Sequence, residues 1–370
     1  MSIAGERASR DVTPRVVHVA SGREWRGGQR QVWLLARELA RLGTKQVVIT
    51  GHRSELARRL HASGVRVRLA PWRAGLDPRV IRPVLSELLD RRAVLHAHDA
   101  HALTLAGICS TLTRLPLIAT RRVDFHLRRP GYWSRADRII AISEAVAKVL
   151  ISDGIRPERI TVVHSGIALD LIRQTPRFGI RDRLGLPQDV RIAANVAALV
   201  PHKDHATLIG AAQRLISRYP DLHWVVAGEG ELKGRLTAQV QSLGLGGRVH
   251  LIGQIDQPER LIADADLFVM SSQQEGLGTA VLEAMALGIP IASTTAGGLP
   301  EMLERGAGLL VSPRNSVALA EAVGRILDDP ALGRALTSRA HEEVLRFTDL
   351  RMAEEVRSVY RSLAHSLDGS

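Results

Sequence analysis

The chain alternates short apolar runs with helical patterns, and it does so twice. The runs "RVVHVAS", "KQVVITG", "VRVRLAP", "AVLHAHD", "LPLIATR", "DRIIAIS" and "ITVVHSG" are bounded by turn residues and separated by segments such as "QVWLLARELARLG". Runs of this length read as strands joined by helices, and strand–helix alternation builds a parallel, doubly wound sheet. After a polar interval, "TPRFGIRDRLGLPQD", the pattern resumes with "VRIAANVA", "HWVVAGEG", "RVHLIG", "ADLFVMSS", "IPIASTT" and "AGLLVSP". The fold class is therefore α/β, with two doubly wound domains facing each other across a cleft at the carboxyl ends of their strands. A length of 370 residues exceeds one ordinary core and fits two. The expected boundaries are 1–170 for the first domain, 171–189 for a linker and 190–345 for the second domain. The terminal segment, 346–370, is expected to cross back to the first domain as a helix.

Composition limits the setting. With 45% hydrophobic and 24% charged residues the chain reads as a soluble globular protein. Its one cysteine, Cys109, excludes an intramolecular disulfide and a cysteine-based zinc site. The start, "MSIAGERASRDVTPR", lacks an apolar stretch of signal-peptide length, and no uninterrupted apolar run approaches a membrane span. The expected location is the cytoplasm. Charge is uneven: up to Thr175 there are 30 Lys plus Arg against 15 Asp plus Glu, a net +15, whereas the rest has 20 against 23, a net −3. A basic half suits nucleic acid, anionic lipid or a phosphorylated substrate, or is a solvated arginine-rich face. Aromatic content of 3% leaves few stacking platforms for single strands, so nucleic acid is not the expected partner.

The stretch "SSQQEGLGTAVLEAMALGIPIASTTAGGLPEML", residues 271–303, holds the most specific chemistry. "LFVMSS" reads as a strand, "QQEGLG" as its exit loop and "TAVLEAMAL" as a short helix capped by Thr279 and ended by Gly288. Gly276 and Gly278, around Leu277, let the backbone approach a ligand, and the free N–H groups at the helix start suit an anion such as a diphosphate. Glu275 reaches hydroxyls on one side of that anion and Glu283, one turn into the helix, reaches hydroxyls on the other. Two hydroxyl-rich ends joined by a diphosphate describe a nucleotide sugar.

With seven residues between the two acids, the segment resembles the signature of retaining glycosyltransferases of family four, which have the GT-B fold of two Rossmann-like domains. The resemblance extends over nearly the whole chain. It implies that Glu283 holds the ribose hydroxyls of a nucleotide-sugar donor and Glu275 those of the transferred sugar, with no metal or other cofactor. "NVAALVPHKDH" resembles the segment in which an arginine and, five residues later, a lysine neutralise the diphosphate. Lys203 matches, but Ala198 stands in the place of the arginine; His202, His205 and the basic first domain are the available substitutes. "SGREWRGGQRQVW" resembles the first strand-to-helix loop, where Gly27 and Gly28 approach the phosphates or the acceptor, although a simple turn explains the same glycines. Gly228 and Gly230 in "AGEGELKGRL" read the same two ways. Gly253, in "RVHLIGQID", leads to the usual place of the nucleobase.

The catalytic group is less legible. "LPLIATRRVDFHL" resembles a strand whose exit carries a histidine two residues after a threonine, but here that position is Arg122. Asp124 is the first candidate for an acid/base or oxocarbenium-stabilising group and His98 the second, while His96, on the same side of its strand, reads as a core histidine. Two metal-like patterns are set aside. Asp264 and Asp266 sit at a strand entrance, and "HAHDAH" places alternate residues on one strand without further ligands. The absence of G-x-G-x-x-G after the first strand disfavours hydride chemistry. The expected function is transfer of a sugar to a lipid-linked or phosphorylated envelope glycan. A nucleotide-sugar epimerase of the same fold is the alternative within the fold, and a nucleic-acid-binding protein the alternative outside it. In "RRVDFHLRRPGYWSR", five arginines flank Phe125, Tyr132 and Trp133. This suits docking on the anionic inner face of a membrane, or else a loop with Trp133 buried against its own domain.

Overall fold

The computed structural model describes residues 13–368 apart from 74, 90 and 91, and the side chains of 364–368 excepted. The first twelve residues, on which the reading of the amino-terminal segment largely falls, lie outside the described residues. Each of the thirteen apolar runs is a strand. In the first domain these are β1 (Arg15–Val19), β2 (Gln46–Gly51), β3 (Val67–Ala70), β4 (Ala93–Ala97), β5 (Leu117–Arg121), β6 (Arg138–Ala141) and β7 (Ile160–Val162). In the second they are β8 (Arg191–Val196), β9 (Leu222–Ala227), β10 (Val249–Gly253), β11 (Leu267–Met270), β12 (Ile291–Thr294) and β13 (Leu309–Val311). The sheet orders are β3-β2-β1-β4-β5-β6-β7 and β10-β9-β8-β11-β12-β13, and every pairing is parallel. In each sheet the strand order reverses beside the first strand, and crevices at such switch points are where doubly wound sheets bind ligands.

The strands are apolar because both faces are covered. Val17, Leu95, Ala119 and Ile139 pack beneath one layer of helices, and Val16, Val94, Ile118 and Ile140 beneath another. That second layer includes the expected crossing. The Asp349–Asp368 helix belongs to the carboxyl end of the chain but buries Met352, Ala353, Val356, Val359 and Tyr360 against the first sheet and the Gly27–Arg41 helix. Its return is fixed where Ile167 N–H donates to the Phe347 carbonyl at 2.9 Å and Asp349 N–H to the Ile167 carbonyl at 3.0 Å. Between β7 and β8 the chain runs through short helices at Leu169–Arg173 and Ile180–Arg183. Asp264 and Asp266 fasten this connection: Asp264 accepts from Ile180 N–H at 2.8 Å, and Asp266 from Arg181 at 2.8 Å and Ile192 N–H at 2.7 Å. Among the described residues no helix is long and apolar enough to cross a membrane.

Candidate active site

The loop after β11 and the helix Thr279–Leu287 lie at the carboxyl edge of the second sheet, facing the first domain. Gly278 is the residue before the helix, at φ 95, and neither it nor Thr279 caps the helix with a side chain. Thr279 is therefore the first helical residue rather than the cap. The left-handed turn needed to enter the helix falls on the glycine, and the first N–H groups keep their donor capacity. Gly288 closes the helix at φ 70 as expected. Leu277 is 1% exposed, within the core, so only its backbone faces the loop.

Glu275 is held through both its side chain and its backbone. Its carboxylate accepts from Lys203 Nζ and, at 3.2 Å, from Ser272 Oγ. Its N–H donates to Asp124 Oδ2 at 2.9 Å across the domain boundary. Lys203 reaches this place from a short turn whose own carbonyl accepts from Ser271 Oγ at 2.9 Å. Burial raises the Asp124 carboxyl above its ordinary value, against the lowering effect of backbone N–H groups. Asp124, Lys203 and Glu275 thus form one charged cluster.

Glu283 is paired differently. Its Oε1 accepts from Arg30 Nη1 at 2.6 Å, and Arg30 also lies 3.5 Å from Glu259. Burial pushes Glu283 up to about 7, and Arg30 opposes that shift. Two acids of the second domain therefore share one arginine of the first. Nothing in the sequence pattern marked Arg30 or Glu259; the signal is that Arg30 stands one helical turn after Gly27, on the same helix face.

The glycines divide by role. A Cβ on Gly276 would collide with the Arg122 carbonyl oxygen, so this loop touches the first domain backbone to backbone. Gly27 faces Thr279, whose Oγ1 lies 3.9 Å from where its Cβ would be, and Gly28 faces Arg122 at the same distance. Gly228 and Gly230 are instead pressed against the backbone of Ala197 and Leu199, and Gly253, at φ 77, lies beside Glu229. Gly228 and Gly230 thus shape the segment that leads to Lys203.

His98 does not join the cluster. Its Nε2 is 2.9 Å from His18 Nδ1 and its Nδ1 3.3 Å from Arg122 Nη2, so both ring nitrogens have partners within the first domain. His96 bridges Tyr360 and Thr120 at 2.6 Å each, in keeping with a core role. His18, which the sequence pattern did not single out, brings the ligand atoms of three histidines within 4.8 Å of one another. The buried guanidinium of Arg122 stands beside them, and its charge opposes a second cation there. In the arginine-rich segment the aromatic side chains are packed against protein. Trp133 is buried under Arg121, Tyr132 packs on Gly107, and Phe125 meets His202 of the second domain edge-on. Its exposed arginines are Arg128, Arg129 and Arg135.

Family models described as Glycosyltransferase Family 4 and as Glycosyl transferases group 1 match residues 25–171 and 177–343. The chain belongs to the group 1 glycosyl transferases. Among its relatives in that family, the D-inositol 3-phosphate glycosyltransferase of Thermobispora bispora is 34% identical over 240 residues, covering 61% of this chain and 56% of that protein. The lipopolysaccharide core biosynthesis glycosyltransferase LpsE of Rhizobium meliloti is 33% identical over 166 residues, 45% of this chain and 48% of that one. The chain thus spans about half the length of these curated relatives. Anabaena Alr3699/HepE, solved in complex with UDP and glucose, superposes with a TM-score of 0.83 at 21% identity, over 94% of this chain and 99% of that one, which shows the GT-B fold of this glycosyltransferase family member.

Proposed function

We propose that the chain transfers a sugar from a nucleotide-sugar donor to an acceptor hydroxyl with retention of configuration. The observation that supports this most strongly is the charge pattern around one uncapped helix start: Glu275 with Lys203 on one side, Glu283 with Arg30 on the other. A diphosphate at that helix start is stabilised by the N–H groups and by Lys203. Its ribose then lies toward Glu283 and its sugar toward Glu275. The solved neighbour holding UDP and glucose makes UDP-sugars the first donors to try.

In the reaction the bond from the anomeric carbon to the diphosphate breaks, and a bond from the acceptor oxygen forms on the same face. The acceptor's proton passes to a diphosphate oxygen. On this reading the Asp124 carboxylate stabilises positive charge developing on the sugar ring. The leaving group's charge is met by Lys203 and the helix start, without a metal ion. The acceptor is a phosphorylated or lipid-linked glycan precursor, a reading supported by the basic first domain and by relatives named for inositol phosphate and lipopolysaccharide core. Docking on an anionic membrane rests on arginine charge rather than on buried aromatics, so co-sedimentation with anionic vesicles should disappear at high salt; binding to neutral vesicles would contradict it. The direct test is proton NMR of the product formed from an α-linked donor. An α-linked product is expected, and a β-linked one would overturn retention.

A further inference from the structure

Two helices from different domains meet at the cleft with matching periodicity. On the Gly27–Arg41 helix, Gly27 and Arg30 are three residues apart and share a face; on the Thr279–Leu287 helix, Thr279 and Glu283 are four apart and share a face. Gly27 stands opposite Thr279, and Arg30 is bonded to Glu283 at 2.6 Å. Both helices lack a side-chain cap at the amino end, so their unpaired N–H groups and positive dipole ends face the same gap. The position at which the family pattern supplies a diphosphate-binding arginine is Ala198, which has no charge to offer.

We propose that Arg30, reaching across from the first domain, is the second cation for the donor diphosphate, and that a nucleotide binds by partner exchange. Ribose hydroxyls take Glu283 from Arg30, and the guanidinium so released turns to the phosphates one helical turn nearer Gly27. This rests on the nucleotide-sugar reading above. Burial supports it: Glu283 is 2% exposed, and a carboxylate there needs either the arginine or hydroxyl donors in its place. The second acid, Glu259, lies 3.5 Å from the guanidinium and keeps it near the domain boundary while Glu283 changes partner. The same exchange makes Arg30 report on the donor, because only a ligand carrying both ribose and phosphate satisfies the two groups it separates.

The test is isothermal titration of UDP, GDP and ADP, each alongside its nucleoside, into the wild-type chain and into Arg30→Ala, Arg30→Gln and the double variant Arg30→Ala with Ala198→Arg. Losing a charge-assisted contact should weaken the preferred diphosphate about tenfold or more. The nucleoside, which no longer has to break an ion pair, should bind as before or tighter. Ala198→Arg should restore much of the diphosphate affinity. Arg30→Gln, which retains length and hydrogen bonding without charge, separates this effect from any loss of folding by the alanine variant. Unchanged diphosphate affinity in both single variants, or an equal loss for nucleoside and diphosphate, would overturn this inference alone. A wild-type chain that binds no nucleoside diphosphate would overturn the nucleotide-sugar reading and this inference with it.

Discussion

At the scale of single residues, the site is a set of acids whose partners fix their tasks. Glu275 is tied by Lys203, Ser272 and Asp124, and on the proposed reading its contribution belongs to the transferred sugar rather than to the nucleotide. Glu275→Gln should therefore lower turnover about 10- to 100-fold, the loss of one charged hydrogen bond, while affinity for free nucleoside diphosphate stays within a few-fold. Steady-state kinetics paired with titration of the diphosphate would show this. Wild-type turnover, or a parallel fall in diphosphate affinity, would remove the assignment. Glu275 and Glu283 stood out because they sit in a local pattern of strand, glycine loop and helix, and Lys203 because of the segment "NVAALVPHKDH" around it. Arg30 did not, because its meaning depends on a contact 253 residues away in sequence. The partners of His98 were not legible for a related reason: a histidine at a strand exit looks available until His18 and Arg122 are seen beside its two nitrogens.

At the scale of elements, the glycine loops perform two distinct jobs that sequence alone does not separate. Gly276 permits backbone contact between domains, whereas Gly27 has only Thr279 near its missing Cβ. Gly276→Ala should cost about 1 to 3 kcal/mol through overpacking against the Arg122 carbonyl, measured by urea unfolding. Gly27→Ala should leave stability unchanged and weaken diphosphate binding, because the added methyl narrows the gap between the two helix starts. Equal stability for both variants would contradict this division.

The strand exits of the first sheet also carry a pH dependence. Burial pushes His18 down to about 3 and holds His96 and His98 well below their ordinary value. All three stay neutral in the folded chain, while in the unfolded chain they take up protons as pH falls below about 6.5. The unfolded state then binds more protons, so stability is present above that pH and is lost on acidification. Each histidine contributes a slope of up to about 1.4 kcal/mol per pH unit. Urea midpoints between pH 7.5 and 5.5 should fall, and His18→Asn should make that fall shallower. A midpoint independent of pH in this range would contradict the burial argument.

At the scale of the whole molecule, two similar domains are bound together by the chain crossing back and by charged contacts that the cleft itself supplies. The Asp349–Asp368 helix packs on the first sheet. Glu301 of the second domain accepts from the N–H groups of Glu144 and Ala145 at 2.9 and 3.0 Å and lies 2.9 Å from His164. The double α/β plan and all thirteen strands were readable from apolar runs, because a strand buried on both faces must be apolar throughout. The terminal crossing was readable from helical patterns left over after the second sheet was complete. The inward packing of Trp133 and Tyr132 was not, since an aromatic beside arginines looks the same whether it faces lipid or a neighbouring helix.

The central claim is that a nucleotide sugar binds with its ribose at Glu283. The measurement closest to it is isothermal titration of a panel of nucleotide sugars, beginning with UDP-glucose, into the wild-type chain and Glu283→Ala. The account predicts one preferred donor for the wild type and at least about a tenfold loss in the variant, from removal of the ribose acceptor. Undiminished affinity in Glu283→Ala, or no binding of any nucleotide sugar to the wild type, would contradict it.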